Sequence, residues 1–219
     1  MRRFRPTPLR LAVAAAIVIA TSSFAGVAYA ASLGLSTAKL HAWSQTLTKG
    51  TCNLTSTAAD DTYVQQANPN STFGGADTVL NVGGAAGAQD YAFIRFDLSS
   101  CNVPGTGGAD SALLTLTVTS KSNDTISLYP VYSAWSSSTL TWNGVGLLTI
   151  GPTATTTFVP ANPGVVNITV TADVDAAIKA GTLWGWELRD TSGAATSAVA
   201  SVDNNSAGKR PSMAINYEK

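Results

Sequence analysis

From about residue 58 onward the chain alternates apolar and polar side chains in short runs, and turn residues break the runs every eight to fifteen positions. That rhythm is a strand signature, because successive side chains on a pleat point to opposite faces. In Tyr91–Leu98, one face takes Ala92, Ile94, Phe96 and Leu98, and the other takes Tyr91, Phe93, Arg95 and Asp97. The first face is expected to be core, and the second to carry chemistry. Ala112, Leu114, Leu116 and Val118 alternate with Thr115, Thr117 and Thr119, whose β-branched side chains suit a solvent-facing pleat. Similar segments recur at 126–132, 165–170, 184–189 and 212–217, with glycine-bearing loops between segments. One helix interrupts them. Thr171 is placed to cap it, Asp173 sits in its first turn, Val174, Ala177 and Ile178 recur at helical spacing, and Gly181 ends it. The expected architecture is all-β: a single jelly-roll-like β-sandwich with one short helix closing an end.

The first thirty residues follow different rules. Arg2, Arg3, Arg5 and Arg10 precede an apolar run from Leu11 to Ala20, and Ala28-Tyr29-Ala30 offers small residues at the positions a signal peptidase reads. This is the pattern of a cleaved signal peptide. A retained anchor is the alternative, although Thr21-Ser22-Ser23 interrupts the run before it reaches a comfortable membrane span. The expected organisation is a signal peptide at 1–30, an N-terminal lead-in at 31–57 and the sandwich at 58–219. Removing the leader takes away four cations and no anions, leaving nine basic against thirteen acidic residues, a net charge of about −4. Such a chain has no surplus with which to neutralise a phosphate backbone, so neither nucleic acid nor, after cleavage, a membrane is an expected partner. The expected destination is outside the cell, secreted or held at its surface. There, Cys52 and Cys101 are expected to form a disulfide, which the chain-entropy model values at about 4 kcal/mol; two separate thiols are the alternative.

Four groups of residues, in order, carry a family resemblance. The first is Asp61-Thr-Tyr-Val64 with Asn70–Gly75 and Val79–Gly83; the second is Ala92-Phe-Ile-Arg-Phe-Asp-Leu-Ser99 with Ala112-Leu-Leu-Thr-Leu116. The third and most specific is Ala134-Trp-Ser-Ser-Ser-Thr-Leu-Thr-Trp-Asn143. The fourth joins Thr171–Val174, Gly185–Asp190 and Arg210–Tyr217. Together they resemble the DNRLRE domain, a β-sandwich family overlapping carbohydrate-binding module family 96 and the disaggregatase-related proteins. The resemblance covers nearly all of 58–219. It departs at Ser137, where the family commonly has Glu, and at Ser201-Val202-Asp203, where it commonly has Ser-Arg-Glu. It implies an exported, non-catalytic module that binds a polysaccharide.

Candidate ligand groups follow from the residues themselves. Arg95 and Arg189 lie on strand faces with Asp97 and Glu187 two positions away, so each is either paired internally or free to fork onto the carboxylate of a uronate-containing glycan. Lys209 and Arg210 could extend such a groove. Trp184, next to a turn, and Glu187 complete the candidate carbohydrate-binding set; Trp135, Trp142 and Trp186 read as packing anchors. Asp61, Asp77 and Asp203, with loop carbonyls, are candidate ligands for one structural Ca2+, or else cap their own loops. No enzyme is expected. The single histidine, His41, lies in the lead-in, adjacent Asp60 and Asp61 point apart on a strand, and no GxSxG elbow occurs. The alternative to a binding module is a structural or adhesive surface protein that uses the same sandwich for protein contacts.

Overall fold

The computed structural model describes residues 48–75, 77–103, 107–181 and 183–218. The expected leader at 1–30 and most of the lead-in therefore lie outside the described residues. Eleven strands form the body: β1 (Lys49–Leu54), β2 (Ala59–Gln65), β3 (Val79–Gly83), β4 (Asp90–Phe96), β5 (Ala109–Ser120), β6 (Ile126–Pro130), β7 (Thr156–Phe158), β8 (Gly164–Thr169), β9 (Trp186–Asp190), β10 (Thr196–Ala200) and β11 (Ser212–Glu218). Among the described residues, two helices accompany them, α1 (Trp142–Val145) and α2 (Thr171–Ala180).

All strand pairs are antiparallel, in the order β1-β11-β5-β10-β3-β4-β9-β6-β7. The twelve-residue β5 takes β8 along one edge and β11 then β10 along the other, while β4 takes β2 along its full length. The sheet thus curls into two halves, β1–β11–β5–β8 and β2–β4–β9–β6–β7, bridged by the β3–β10 pair. Leu114, Leu116, Ile168, Met213 and Ile215 from the first half share one core with Ile94, Phe96, Ile126, Leu128, Trp186 and Leu188 from the second. Burying such side chains stabilises the fold by roughly 1.5–3 kcal/mol each. The all-β sandwich expected from the alternation is the fold observed.

Four local expectations need correction. The sheet begins at Lys49 rather than Ala58, because β1 pairs along its whole length with β11 and the disulfide Cys52–Cys101 pins it to the 3-10 turn after β4. Thr171 does not cap α2; Val170 occupies that position, and the Thr171 hydroxyl oxygen accepts the Ala112 N–H at 3.0 Å. Gly181 does end the helix, in the left-handed conformation at φ 65°. Thr117 is buried, not solvent-facing. Phe93, placed by alternation opposite the main core, is also fully buried, because it enters a second cluster with Val64, Val131, Trp135 and Leu140. The polar-looking face of β4 is therefore partly covered, and its chemistry is confined to the two ends of that cover.

Candidate functional site

Register decides which side chains share this outer face. Asp60 on β2 lies opposite Arg95, Phe93 lies opposite Glu187, and Glu187 lies opposite Tyr129 on β6. Arg95 and Tyr91 occupy opposite ends of β4, four residues and roughly 13 Å apart at strand rise. An arginine sits at each end.

At the first end, Arg95 donates from Nε and Nη2 to Asp60 Oδ2 at 3.2 and 2.9 Å. The Ser137 N–H donates to the same oxygen at 3.3 Å. The guanidinium lies 5.4 Å from the Trp135 ring centroid and 5.7 Å from that of Trp184. The two tryptophans differ in kind. Trp135 is buried edge-on against Phe93, and its Nε1–H donates to the Trp184 carbonyl at 2.6 Å. Trp184 keeps 38% of its surface exposed. Alternation alone would put Trp184 on the core face beside Trp186 and Leu188. Gly185 breaks that alternation with φ +97°, and a Cβ there would meet the Ile94 carbonyl oxygen at 2.2 Å, so only glycine fits the turn that carries Trp184 outward.

Trp184 and Arg95 border an open cavity of about 560 Å³, whose wall also includes Asp60, Asp97, Ser99 and Leu183. Asp97 starts the 3-10 turn at its rim by accepting the Ser99 N–H at 2.9 Å. Ser99, through its hydroxyl and then its N–H, holds the Asp97 carboxyl below the usual range. Asp97 is not the partner of Arg95; the cross-strand Asp60 is.

At the second end, Arg189 pairs with Glu187 and lies between the rings of Tyr91 and Tyr129, 5.0 and 4.8 Å from their centroids. Tyr91 in turn tilts against Trp142 at 4.7 Å. Glu187 is completely buried, so it acts as an internal counter-ion and offers nothing to a glycan. Burial pushes its carboxyl pKa up, Arg189 opposes that shift, and Oε1 has no hydrogen-bond partner. Of the four carbohydrate-binding candidates, the fold brings Arg95 and Trp184 to one cavity and places Arg189 and Glu187 elsewhere. Arg210 does not extend a groove, because its Nε donates to the Asn204 carbonyl at 2.7 Å.

The calcium candidates are brought together only in part: Asp203 lies near Asp61, its N–H donating to the Ser201 hydroxyl that also bonds Asp61. Asp61 is buried and accepts from Ser201 Oγ at 2.9 Å and from the Val202 N–H at 2.7 Å, so both oxygens are engaged. Burial pushes its pKa up to about 7. Among the described residues, no group of three or more His, Cys, Asp or Glu gathers at one point, so Asp61, Asp77 and Asp203 do not form one carboxylate cluster.

A sandwich that turns a half-exposed indole and an ion-paired arginine toward an open cavity has the makings of a binding module for flat, hydroxyl-bearing ligands. Comparison with family models gives the same class. The model of carbohydrate-binding module family 96 matches residues 53–217, and the chain belongs to that family. The match starts inside β1, in keeping with a sheet that begins ahead of Ala58. No curated protein matches the chain.

Proposed function

We propose that this chain is an exported, non-catalytic module that binds a polysaccharide at the Trp184–Arg95 cavity. One observation carries the proposal: a half-exposed Trp184 and a forked Arg95–Asp60 pair border the same open cavity. An indole face matches the C–H face of a pyranose, and the fixed pair beside it offers donors and acceptors to hydroxyls. Family membership supports carbohydrate as the ligand class. The Arg-rich leader pattern and the Cys52–Cys101 bridge support export.

Absence of catalysis has its own support. Hydrolysis of a glycosidic bond calls for two opposed carboxyls, one of them held protonated. In the cavity wall, Asp60 is engaged by Arg95 and Ser137, and Asp97 is kept ionised by Ser99. Asp97, held ionised, is not poised to give up a proton.

Affinity gels containing alginate, pectin, cellulose, xylan or chitin, run with and without a chelator, test the proposal. Retardation by at least one glycan is the expected result, and the chelator arm reads whether a cation takes part. Large assemblies on size-exclusion chromatography without any retardation would favour the structural or adhesive alternative.

A further inference from the structure

Among the described residues, the strands β1, β2, β7 and β8 each pair along one edge only. Three of these edges are blunted: β1 carries Lys49, β2 carries Asp60 and Asp61, and β7 is three residues long. β8 (Gly164–Thr169) is different. It pairs with β5 in unbroken register, and its six residues include neither a charge nor a proline. Charge, proline, a bulge or shortness is what keeps a sheet edge from pairing with another chain, and β8 has none of them.

The ladder with β5 sets what the open edge offers. The Val170 N–H donates to the Ala112 carbonyl at 3.0 Å. By antiparallel alternation, Ile168 and Val166 also bond toward β5, so Val165, Asn167 and Thr169 turn their N–H and C=O groups to the open edge. Their side chains stand on the outer face, because Ile168 and Val166 pack into the core. Val165 is 62% exposed, and Leu113, opposite Thr169, is 38% exposed. The surroundings are electrically bare as well. From Thr125 to Ala172 the chain has no Asp, Glu, Lys, Arg or His, although residues 48–218 hold seven basic against thirteen acidic side chains, a net of about −6. Two copies of so acidic a chain repel each other except across a neutral surface, and β8 lies in the neutral stretch.

The edge also complements itself. Asn167 is exposed, and its Oδ1 accepts the Thr115 hydroxyl at 2.9 Å, which holds the amide on the outer face. An amide carries both donors and an acceptor, so Asn167 set against Asn167 of a second copy gives and takes a hydrogen bond. A two-fold axis at that point puts Val165 opposite Thr169, a β-branched pair, and brings the N–H groups of each edge onto the carbonyls of the other.

We infer that the β8 edge is the interface of a homodimer, in which β8 pairs antiparallel with β8 of a second copy about a two-fold axis at Asn167. Such a contact uses the same surface twice and closes at two copies, unlike the open assembly of a structural protein. Val165, Asn167 and Thr169 do not border the Trp184–Arg95 cavity, so pairing is tested separately from glycan binding.

The exported chain and the variants Asn167→Asp, Asn167→Lys and Asn53→Asp are compared by sedimentation from about 1 to about 300 μM, a range that brackets micromolar affinity. Circular dichroism confirms that each is folded. Asn167→Asp keeps an oxygen to accept the Thr115 hydroxyl, yet sets two carboxylates against each other across the axis. Asn53 shares the outer face with Leu113 and Thr169 but sits on β1, away from the open edge of β8, so its variant reports on face-to-face stacking instead.

The wild type should pass from monomer to dimer as concentration rises. Asn167→Asp and Asn167→Lys should each weaken the dimer at least about tenfold, and an equimolar mixture of the two should restore it, because opposite charges then meet across the axis. Asn53→Asp should stay within about twofold of wild type. Amide exchange at Val165, Asn167 and Thr169 should slow with rising wild-type concentration, which reads the pairing without any substitution. A wild type that stays monomeric throughout, a dimer indifferent to charge at position 167, or a mixture that fails to re-associate would overturn the inference. So would a dimer weakened as much by Asn53→Asp, or assemblies that grow past two copies.

Discussion

Two arginines on one sheet face have the same kinds of partner, a carboxylate and two aromatic rings, and end up doing different work. Arg95 has a counter-ion, Asp60, whose side chain is 28% exposed, and its rings are one buried and one half-exposed tryptophan beside a cavity. Arg189 has a counter-ion that is 0% exposed, and its rings are two tyrosines that close over it. Depth of the counter-ion makes the difference. A half-exposed carboxylate is already solvated, so the pair costs little to hold and its remaining donors and acceptors stay available to a ligand. A buried carboxylate cannot be left alone, so its arginine is committed to it.

The largest predicted effect follows from that commitment. Arg189→Ala strands Glu187 in the interior, and losing one member of a buried pair costs about 3–5 kcal/mol. For a domain of this size, thermal unfolding should fall on the order of 10 °C. Arg95→Ala should move the melting temperature far less. Equal losses in the two variants would break the comparison outright.

Next in size is a third carboxylate that extends the series. Asp61 is buried like Glu187 but has hydroxyl and amide donors in place of a cation. Its folded-state pKa of about 7 lies above the ordinary 3.8, so between those values the native chain holds a proton that the unfolded chain has released. Stability should therefore be greatest near pH 4 and fall by ~2–4 kcal/mol as pH rises to about 7, then level off. The upward shift of Glu187 adds in the same direction. Asp61→Asn should flatten most of the slope in melting curves taken across that range; a wild-type profile that rises over the same range would refute the assignment.

How much of this was legible beforehand depends on whether the signal was local. The run 91–98 announced β4 (Asp90–Phe96), and 212–217 announced β11, because alternation over six or more residues is a property of the segment itself. β1 was not legible. Lys-Gly-Thr-Cys-Asn-Leu has little apolar content, and it becomes a strand by adding to the edge of β11. The partner of Arg95 is hidden for a related reason: same-strand spacing points to Asp97, whereas register supplies Asp60 from thirty-five positions away. Glu187 reads from the sequence as a ligand-facing carboxylate, but it is fully buried, opposite Phe93 of the second cluster. Trp184 stood out only as a residue beside a turn, and the positive φ of Gly185 is what turns it outward.

The smallest predicted effect is the most demanding of the comparison. Arg95→Ala removes an ion pair whose two side chains are each about a third exposed, and such pairs contribute ~0–1 kcal/mol. Asp60 keeps the Ser137 N–H and gains water, so it is not abandoned as Glu187 would be. Trp135 remains held by its bond to the Trp184 carbonyl and by Phe93, so the second cluster should survive. The variant should unfold within a few degrees of wild type while losing measurable glycan affinity. A large destabilisation with affinity intact would mean that Arg95 is a second structural pin, and that exposure of the counter-ion does not separate the two ends of this face.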